Sequence, residues 1–180
     1  MAVRRTLIFD TETTLLIKNS LMSNANQPHI IEFFGHILDE DDQVIETLEF
    51  LCKPPVKISE EVTKITGFVA ADVADAKPFK FYAEQVAGII GRADSVVAHN
   101  LSYDWAVINI EMDRIKHPVN WPLIRICTVE ETEHLKGYRL GLSALHEHLF
   151  GETFTGAHRA KVDTLALTRC FSELRRQGAL

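Results

Sequence analysis

Cysteine is scarce. Three in 180 residues, at Cys52, Cys127 and Cys170, are too few and too widely spaced for a disulfide framework or a C-x-x-C metal knuckle. That usage fits a reducing compartment, and a cytoplasmic location is expected. No apolar run approaches the ~20 residues that cross a bilayer. At the amino terminus "MAVRRTLIFDTETT" follows its basic pair with only a few apolar residues before the acids begin, so neither an export signal nor a membrane partner is expected. Basic charge is also in deficit, with 19 Lys and Arg against 25 Asp and Glu and a net charge of −6. That excludes a broad cationic face that coats duplex nucleic acid by counterion release, but not an enzyme that grips a few phosphates through metal ions. A glycine-rich phosphate loop is missing, which argues against a nucleotide-binding domain. "HEHL" at His146–Leu149 is no H-E-x-x-H: its histidines lie two apart and face different ways on a helix, which predicts surface or partial burial.

What is present suits one well-buried core. With 46% hydrophobic residues over this length, a single domain spanning 1–180 is expected. Apolar and β-branched runs at Arg5–Asp10, Ile30–Leu38, Val44–Cys52 and Ser95–His99 read as strands, and "DEDDQ" between the middle two is hairpin chemistry. In "ISEEVTKITGF", Ser59 predicts a helix N-cap and Gly67 its end. Helical spacing recurs over Phe79–Ile90 and Tyr103–Ile115, flanking the Ser95–His99 strand. A last strand at Trp121–Cys127 is expected, then short helices at Val129–Leu135 and Leu142–Leu149 and a longer one from Arg159 to Arg176. The polar stretch "KNSLMSNANQP", Lys18 to Pro28, reads as a long loop. The pattern is α/β, a mixed sheet of about five strands with an antiparallel front half and helices on its faces.

Acids recur where such a sheet forms its ligand crevice. "LIFDTETT" ends a buried strand in Asp10 and Glu12. In "SVVAHNLSYDW" a strand ends in His99 and Asn100, and Asp104 falls in the first turn of the next helix. In "GAHRAKVDTLALTRCF" Asp163 lies one turn into a helix that His158 precedes, beside a buried side read from Val162, Leu165 and Ala166. Each acid alone has an ordinary reading as a turn former, a helix-dipole partner or a solvated charge. Together they repel unless a cation joins them. Hard oxygen donors without thiols, and no pair of histidines at helical spacing, point to Mg²⁺ or Mn²⁺ rather than zinc.

"FDTET", "HNLSYD" and "HRAKVD", in this order and at suitable intervals, resemble the three motifs of the DEDD superfamily in its histidine subclass. These are the DnaQ-like 3′-to-5′ exonucleases, which include the proofreading subunit of bacterial DNA polymerase III. "KITGF" and "YRLGLSALHEHLFG" look like the family's connecting segments, so the likeness runs over nearly the whole chain. The resemblance implies a ribonuclease H-like fold and a metal-dependent exonuclease that releases 5′-mononucleotides from a free 3′ end by a two-metal-ion mechanism. Asp10, Glu12 and Asp163 would bind the first ion, Asp10 would bridge to the second, Asp104 would hold the second, and His158 would be the general base. Thr11 and Thr13 would lie near the terminal nucleotide, Gly67 and Phe68 would pack on its base, and Asn100 would bond substrate or support the site.

Two features depart from the pattern. Leu15 stands where relatives commonly have Gly, and the stretch through Pro28 lengthens the connection. The chain ends soon after "ELRRQGAL", which favours a stand-alone enzyme or one encoded apart from its polymerase. DNA, single-stranded or frayed, is the expected substrate. An exoribonuclease or oligoribonuclease, and a catalytically silent interaction module of the same fold, are the alternatives; the intact set of four acids and His158 favours catalysis.

Overall fold

A computed structural model of the chain describes residues 4–17 and 24–180. Residues 1–3, which open the segment read for an export signal, and 18–23 of the long loop lie outside the described residues. The first apolar run forms β1 (Thr6–Thr13), the middle strand of a five-stranded sheet. It pairs antiparallel with β2 (Ile30–Leu38), which pairs antiparallel with β3 (Val44–Leu51). On its other side β1 pairs parallel with β4 (Ser95–Ala98), and β4 parallel with β5 (Ile124–Cys127). The spatial order is β3-β2-β1-β4-β5, the mixed sheet with an antiparallel front half that the sequence predicts. The "DEDDQ" turn closes as expected: the Asp39 carboxylate accepts the backbone N–H of Asp41 (3.0 Å) and Gln43 (2.9 Å).

The helices are α1 (Glu60–Thr66), α2 (Ala83–Arg92), α3 (Leu101–Arg114), α4 (Thr128–Glu131), α5 (Leu142–Phe150) and α6 (Ala160–Arg176). Helix α1 is capped as read, with Ser59 accepting from the Val62 N–H and Gly67 at φ 77° donating back to Thr63. Some boundaries move. The helix expected from Phe79 starts as a 3₁₀ turn behind Pro78, and the one expected at Val129–Leu135 is α4 followed by a 3₁₀ turn. β5 begins only at Ile124, after Pro122, which has no N–H for a ladder. Among the described residues no helix is long and apolar enough to cross a membrane. All three cysteines are free and buried.

Strand alternation sorts β1 between two cores. Leu7 and Phe9 face the larger one, with Val86, Ile89 and Ile90 of α2 and Val107, Ile108 and Met112 of α3. Ile8 faces the other way, onto Leu167 and Phe171 of α6. Each such fully buried side chain contributes about 1.5–3 kcal/mol over an exposed one. The buried side of α6 matches the expected one only in part: Ala160, Thr164, Ala166, Leu167, Cys170, Phe171 and Leu174 carry it, so Ala166 is buried as read, whereas Val162 is half-buried and Leu165 exposed. Leu167 and Phe171 set that face by packing on Ile8 and Val97 of the sheet, and the Thr164 hydroxyl donates to the Phe34 carbonyl (3.3 Å). His146 is likewise buried rather than at the surface. Its Nδ1 bonds the Glu152 carbonyl (2.8 Å), and its ring packs on Phe150, one turn along α5, and on Phe154; Glu152 and Phe154 lie beyond the helix, where helical spacing does not reveal them.

Candidate active site

The alternation that buries Ile8 carries on into the acids. Asp10 and Glu12 project from the α6 side of β1, where Asp163 and His158 stand. Thr11 and Thr13 project from the α3 side. The Thr11 N–H (3.1 Å) and hydroxyl (2.6 Å) both donate to Asp104 Oδ1, and the Thr13 hydroxyl bonds Tyr103 and the Leu15 carbonyl. One strand end therefore holds acids on one face and anchors the acid-bearing helix α3 with the other. A cavity of about 670 Å³ opens over this edge, lined by Asp10, Glu12, His158 and Asp163 among others. Ligand atoms of Glu12, His158 and Asp163 lie within 4.8 Å of one another. Asp104 does not line the cavity; it lies buried beneath it, close enough to Asp10 for their charges to interact.

The electrostatics are those of an under-neutralised acidic cluster. Burial, then repulsion from Asp104, Glu12, Asp163 and Glu32, raises the Asp10 pKa well above the carboxylate range. Burial and the neighbouring acids push Glu12 up to about 8, although Arg159 opposes this. Burial pushes Asp104 up to about 7 against the two hydrogen bonds from Thr11, and burial also raises Asp163. Such a set stores repulsion that a bound cation removes. His99, at the cavity wall, is held neutral: burial lowers its pKa to about 4, while Nε2 donates to the Leu140 carbonyl (3.0 Å) and Nδ1 accepts from Thr128 (2.9 Å).

The remaining expected residues divide. Asn100 lines the cavity from a left-handed backbone (φ 81°) and accepts from the Ser102 hydroxyl. Thr11 and Thr13 line it too, but their hydroxyls are committed to α3 and the Leu15 loop. Gly67 ends α1 and does not line the cavity. Phe68 overturns its expected part as a base-stacking surface. It is 3% exposed, packed with Ile31, Val62 and Val73, and covered by the Arg159 guanidinium at 4.5 Å. Of the apolar residues that line the cavity, Leu16 (77% exposed) and Ile65 (59%) are the large ones that stand exposed.

Sequence reasoning missed Glu32. This carboxylate is register partner to Glu12 and accepts from Arg159 Nε (3.2 Å) and Nη2 (2.9 Å) and from the Ala160 N–H (2.8 Å). A lone Glu inside the apolar run "IIEFFGHIL" was the available signal. The lengthened loop is pinned at its described end, where Arg114 donates to the carbonyls of Asn24 (3.1 Å), Gln27 (2.8 Å) and Pro28 (2.8 Å).

Comparison with known proteins identifies the family and the fold. The profile of the exonuclease family matches residues 7–171. The chain is 28% identical over 176 residues to the PolC-type DNA polymerase III of Caldanaerobacter subterraneus subsp. tengcongensis, covering 93% of this chain and 11% of that protein. It is 28% identical over 192 residues to the PolC-type polymerase of Mycoplasmopsis pulmonis, covering 96% and 12%. It thus spans only about a tenth of the length of these relatives. Among solved structures, exonuclease X in complex with 5′ overhanging duplex DNA superposes with a TM-score of 0.68 at 22% identity, covering 96% of this chain and 93% of that one. The nuclease domain of 3′hExo, a DEDDh family member bound to rAMP, superposes with a TM-score of 0.76 at 16% identity, covering 98% and 94%. These likenesses carry the ribonuclease H-like fold, and the match over residues 7–171 makes the chain a member of the exonuclease family.

Proposed function

We propose that this chain, as a single domain, hydrolyses nucleic acid from a free 3′ end and releases 5′-mononucleotides, with DNA preferred. The observation that carries the reading is the convergence of Asp10, Glu12 and Asp163 with His158 at one open cavity, with Asp104 buried close to Asp10 and all four acids raised in pKa. Exonucleases of this family generally use divalent metal ions. The donor set fits such ions: it is oxygen-rich, holds no thiol at the cavity, and carries charge that its own surroundings leave uncompensated. Asp10, Glu12 and Asp163 would hold one Mg²⁺ or Mn²⁺, and Asp10 with Asp104 a second. Bound there, the pair supplies Lewis acidity toward the scissile phosphate and its leaving 3′ oxygen.

The chain's own groups do the rest. His158, exposed at the cavity rim, takes the proton of the attacking water, a role that contributes about 10²–10⁴ in rate. Thr11 fixes Asp104 by two hydrogen bonds, so β1 and α3 hold their acids in one arrangement. Leu16 and Ile65 offer apolar edges to an unpaired terminal base, as single-strand binders do. A 3′-phosphate would meet the carboxylate cluster and be repelled. The polymerase relatives support DNA, and a cytoplasmic setting suits three free thiols. RNA is the second reading, supported by a structural neighbour described as recognising the histone mRNA stem-loop.

The test uses 5′-labelled single-stranded DNA, duplexes with matched and mismatched 3′ ends, and RNA of the same sequence, each with Mg²⁺ or Mn²⁺. A ladder shortening from the 3′ side, faster on unpaired DNA and blocked by 3′-phosphate, is expected. Cutting of closed circles would contradict the polarity, and faster loss of RNA would reverse the substrate preference.

A further inference from the structure

Glu32 is 2% exposed near the start of β2, beside Glu12 at the end of β1, yet its oxygens are already taken by Arg159 and by the first N–H of α6. It is therefore not free to join the neighbouring acids in holding a cation. Nor is stability a sufficient reason for it, since a buried ion pair is commonly no more stabilising than apolar residues of the same volume, whereas it does fix geometry. What it fixes is next to the chemistry. Arg159 follows His158 directly, and α6 carries Asp163 in its first turn. Arg159 makes no side-chain cap for α6, so the Glu32 carboxylate, reaching across from β2, supplies that service.

His158 needs such support. Its backbone is left-handed (φ 68°), a conformation unfavourable for any residue with a Cβ, and its N–H donates to Asp163 Oδ2 (2.8 Å). The conformation is thus bracketed by the Asp163 bond at His158 itself and by the Glu32 bonds at the two residues that follow. Phe68 closes the assembly by lying under the guanidinium plane, which ties in the segment following α1. We propose that Glu32 and Arg159 are a positioning pair that sets the backbone of His158 and the first turn of α6, and through them the placement of the imidazole and the Asp163 carboxylate.

This inference rests on His158 acting as the base, so the test reads both turnover and the backbone directly. Steady-state kinetics on single-stranded DNA compares wild type, Glu32→Gln, Arg159→Lys, His158→Ala and the Glu32→Gln/His158→Ala double variant. The two clamp variants are expected to lose kcat on the order of 10²-fold, as misplacement of a reacting group by about 1 Å does, with KM little changed. In the His158→Ala background Glu32→Gln should add little, because residues that act as a unit are non-additive. Amide hydrogen exchange on the same proteins supplies the second readout. The His158 N–H bonds Asp163 and not Glu32, so its faster exchange in both clamp variants is expected only if the pair sets this backbone. Losses that multiply in the double variant, or a His158 amide that exchanges as in wild type, overturn the proposal. Arg159→Lys, at a half-exposed side chain, keeps the test available if Glu32→Gln does not fold. Absence of exonuclease activity in the wild type would instead remove the functional reading and leave the amide result to judge the clamp.

Discussion

Helix α3 carries two buried carboxylates, Asp104 near its start and Glu111 two turns later, and they live in opposite electrostatic worlds. Burial alone would raise the Glu111 pKa, but the hydrogen bond to His29 and the charge of Arg114 outweigh it and hold it below the usual range. Its oxygens accept from His29 Nδ1, the Ile30 N–H and Arg114 Nη1, each at 3.1 Å. At the other end Asp104 accepts from the Thr11 hydroxyl and backbone N–H and forms no ion pair among the described residues, and burial raises its pKa to about 7. Asp10 and Glu12 beside it are raised as well. The Glu111 site is electrically complete and closes the loop that enters β2. The Asp104 end gathers carboxylates that burial and mutual repulsion raise, next to an open cavity, and that contrast is the ground on which a cation site is proposed there.

Substitution separates the two most sharply through rate. Asp10→Asn should lower kcat on the order of 10³-fold, comparable to removing a major transition-state stabiliser, and His158→Ala by about 10²–10⁴-fold. Glu111→Gln, assayed where it is folded, should keep kcat near wild type. A gel-based rate comparison decides this, and a Glu111→Gln protein as inactive as Asp10→Asn would erase the distinction. Stability without metal should then move in opposite directions. Glu111→Gln leaves Arg114 buried beside a neutral partner and should cost about 3–5 kcal/mol, the usual loss on breaking a buried pair. Asp10→Asn removes a repelling charge and should raise the melting temperature of the metal-free protein.

Metal shifts the balance by a smaller amount. Mn²⁺ at about 100 times its Kd should add about 2.7 kcal/mol to the wild type by mass action, seen as a higher melting temperature. Glu111→Gln should gain equally and Asp10→Asn should not. The pH response is the finest discriminator. The cluster acids have folded pKa values above their unfolded ones, so their contribution is most favourable below about pH 4. It is lost as pH rises through about 7 for Asp104 and about 8 for Glu12. Glu111 is the reverse: its depressed pKa contributes stability above the ordinary carboxylate value, lost as pH falls through the lowered one. Metal-free wild type should therefore melt higher at pH 6 than at pH 8.5, Asp10→Asn should show a weaker slope over that range, and Glu111→Gln should keep the wild-type slope.

The mixed sheet with its antiparallel front half was legible because strand periodicity, the Asp-rich hairpin and the helix caps are local signals. The acids were legible as neighbours for the same reason: Asp10 and Glu12 continue the alternation of Ile8, and Asp104 and Asp163 sit in first turns. What stayed hidden depends on partners far along the chain. Nothing local to Phe68 says that Arg159, the residue before α6, covers it, so its burial contradicts the base-packing part that the resemblance implies. The burial of His146 depends on the Glu152 loop and on Phe154, and the phase of α6 on Ile8 and Val97, against which Leu167 and Phe171 pack. Glu32 showed itself as a charge in an apolar strand, but its partner lies 127 residues away and only the fold joins them.

The comparison comes to one point, whether the raised acids are a cation site. Counting bound Mn²⁺ by titration calorimetry on the wild type, Asp10→Asn, Asp163→Asn and Glu111→Gln tests it most directly. The account predicts two ions per chain in the wild type and in Glu111→Gln, and loss of that stoichiometry in both cluster variants. Equal binding by all four proteins, or none by the wild type, would contradict it.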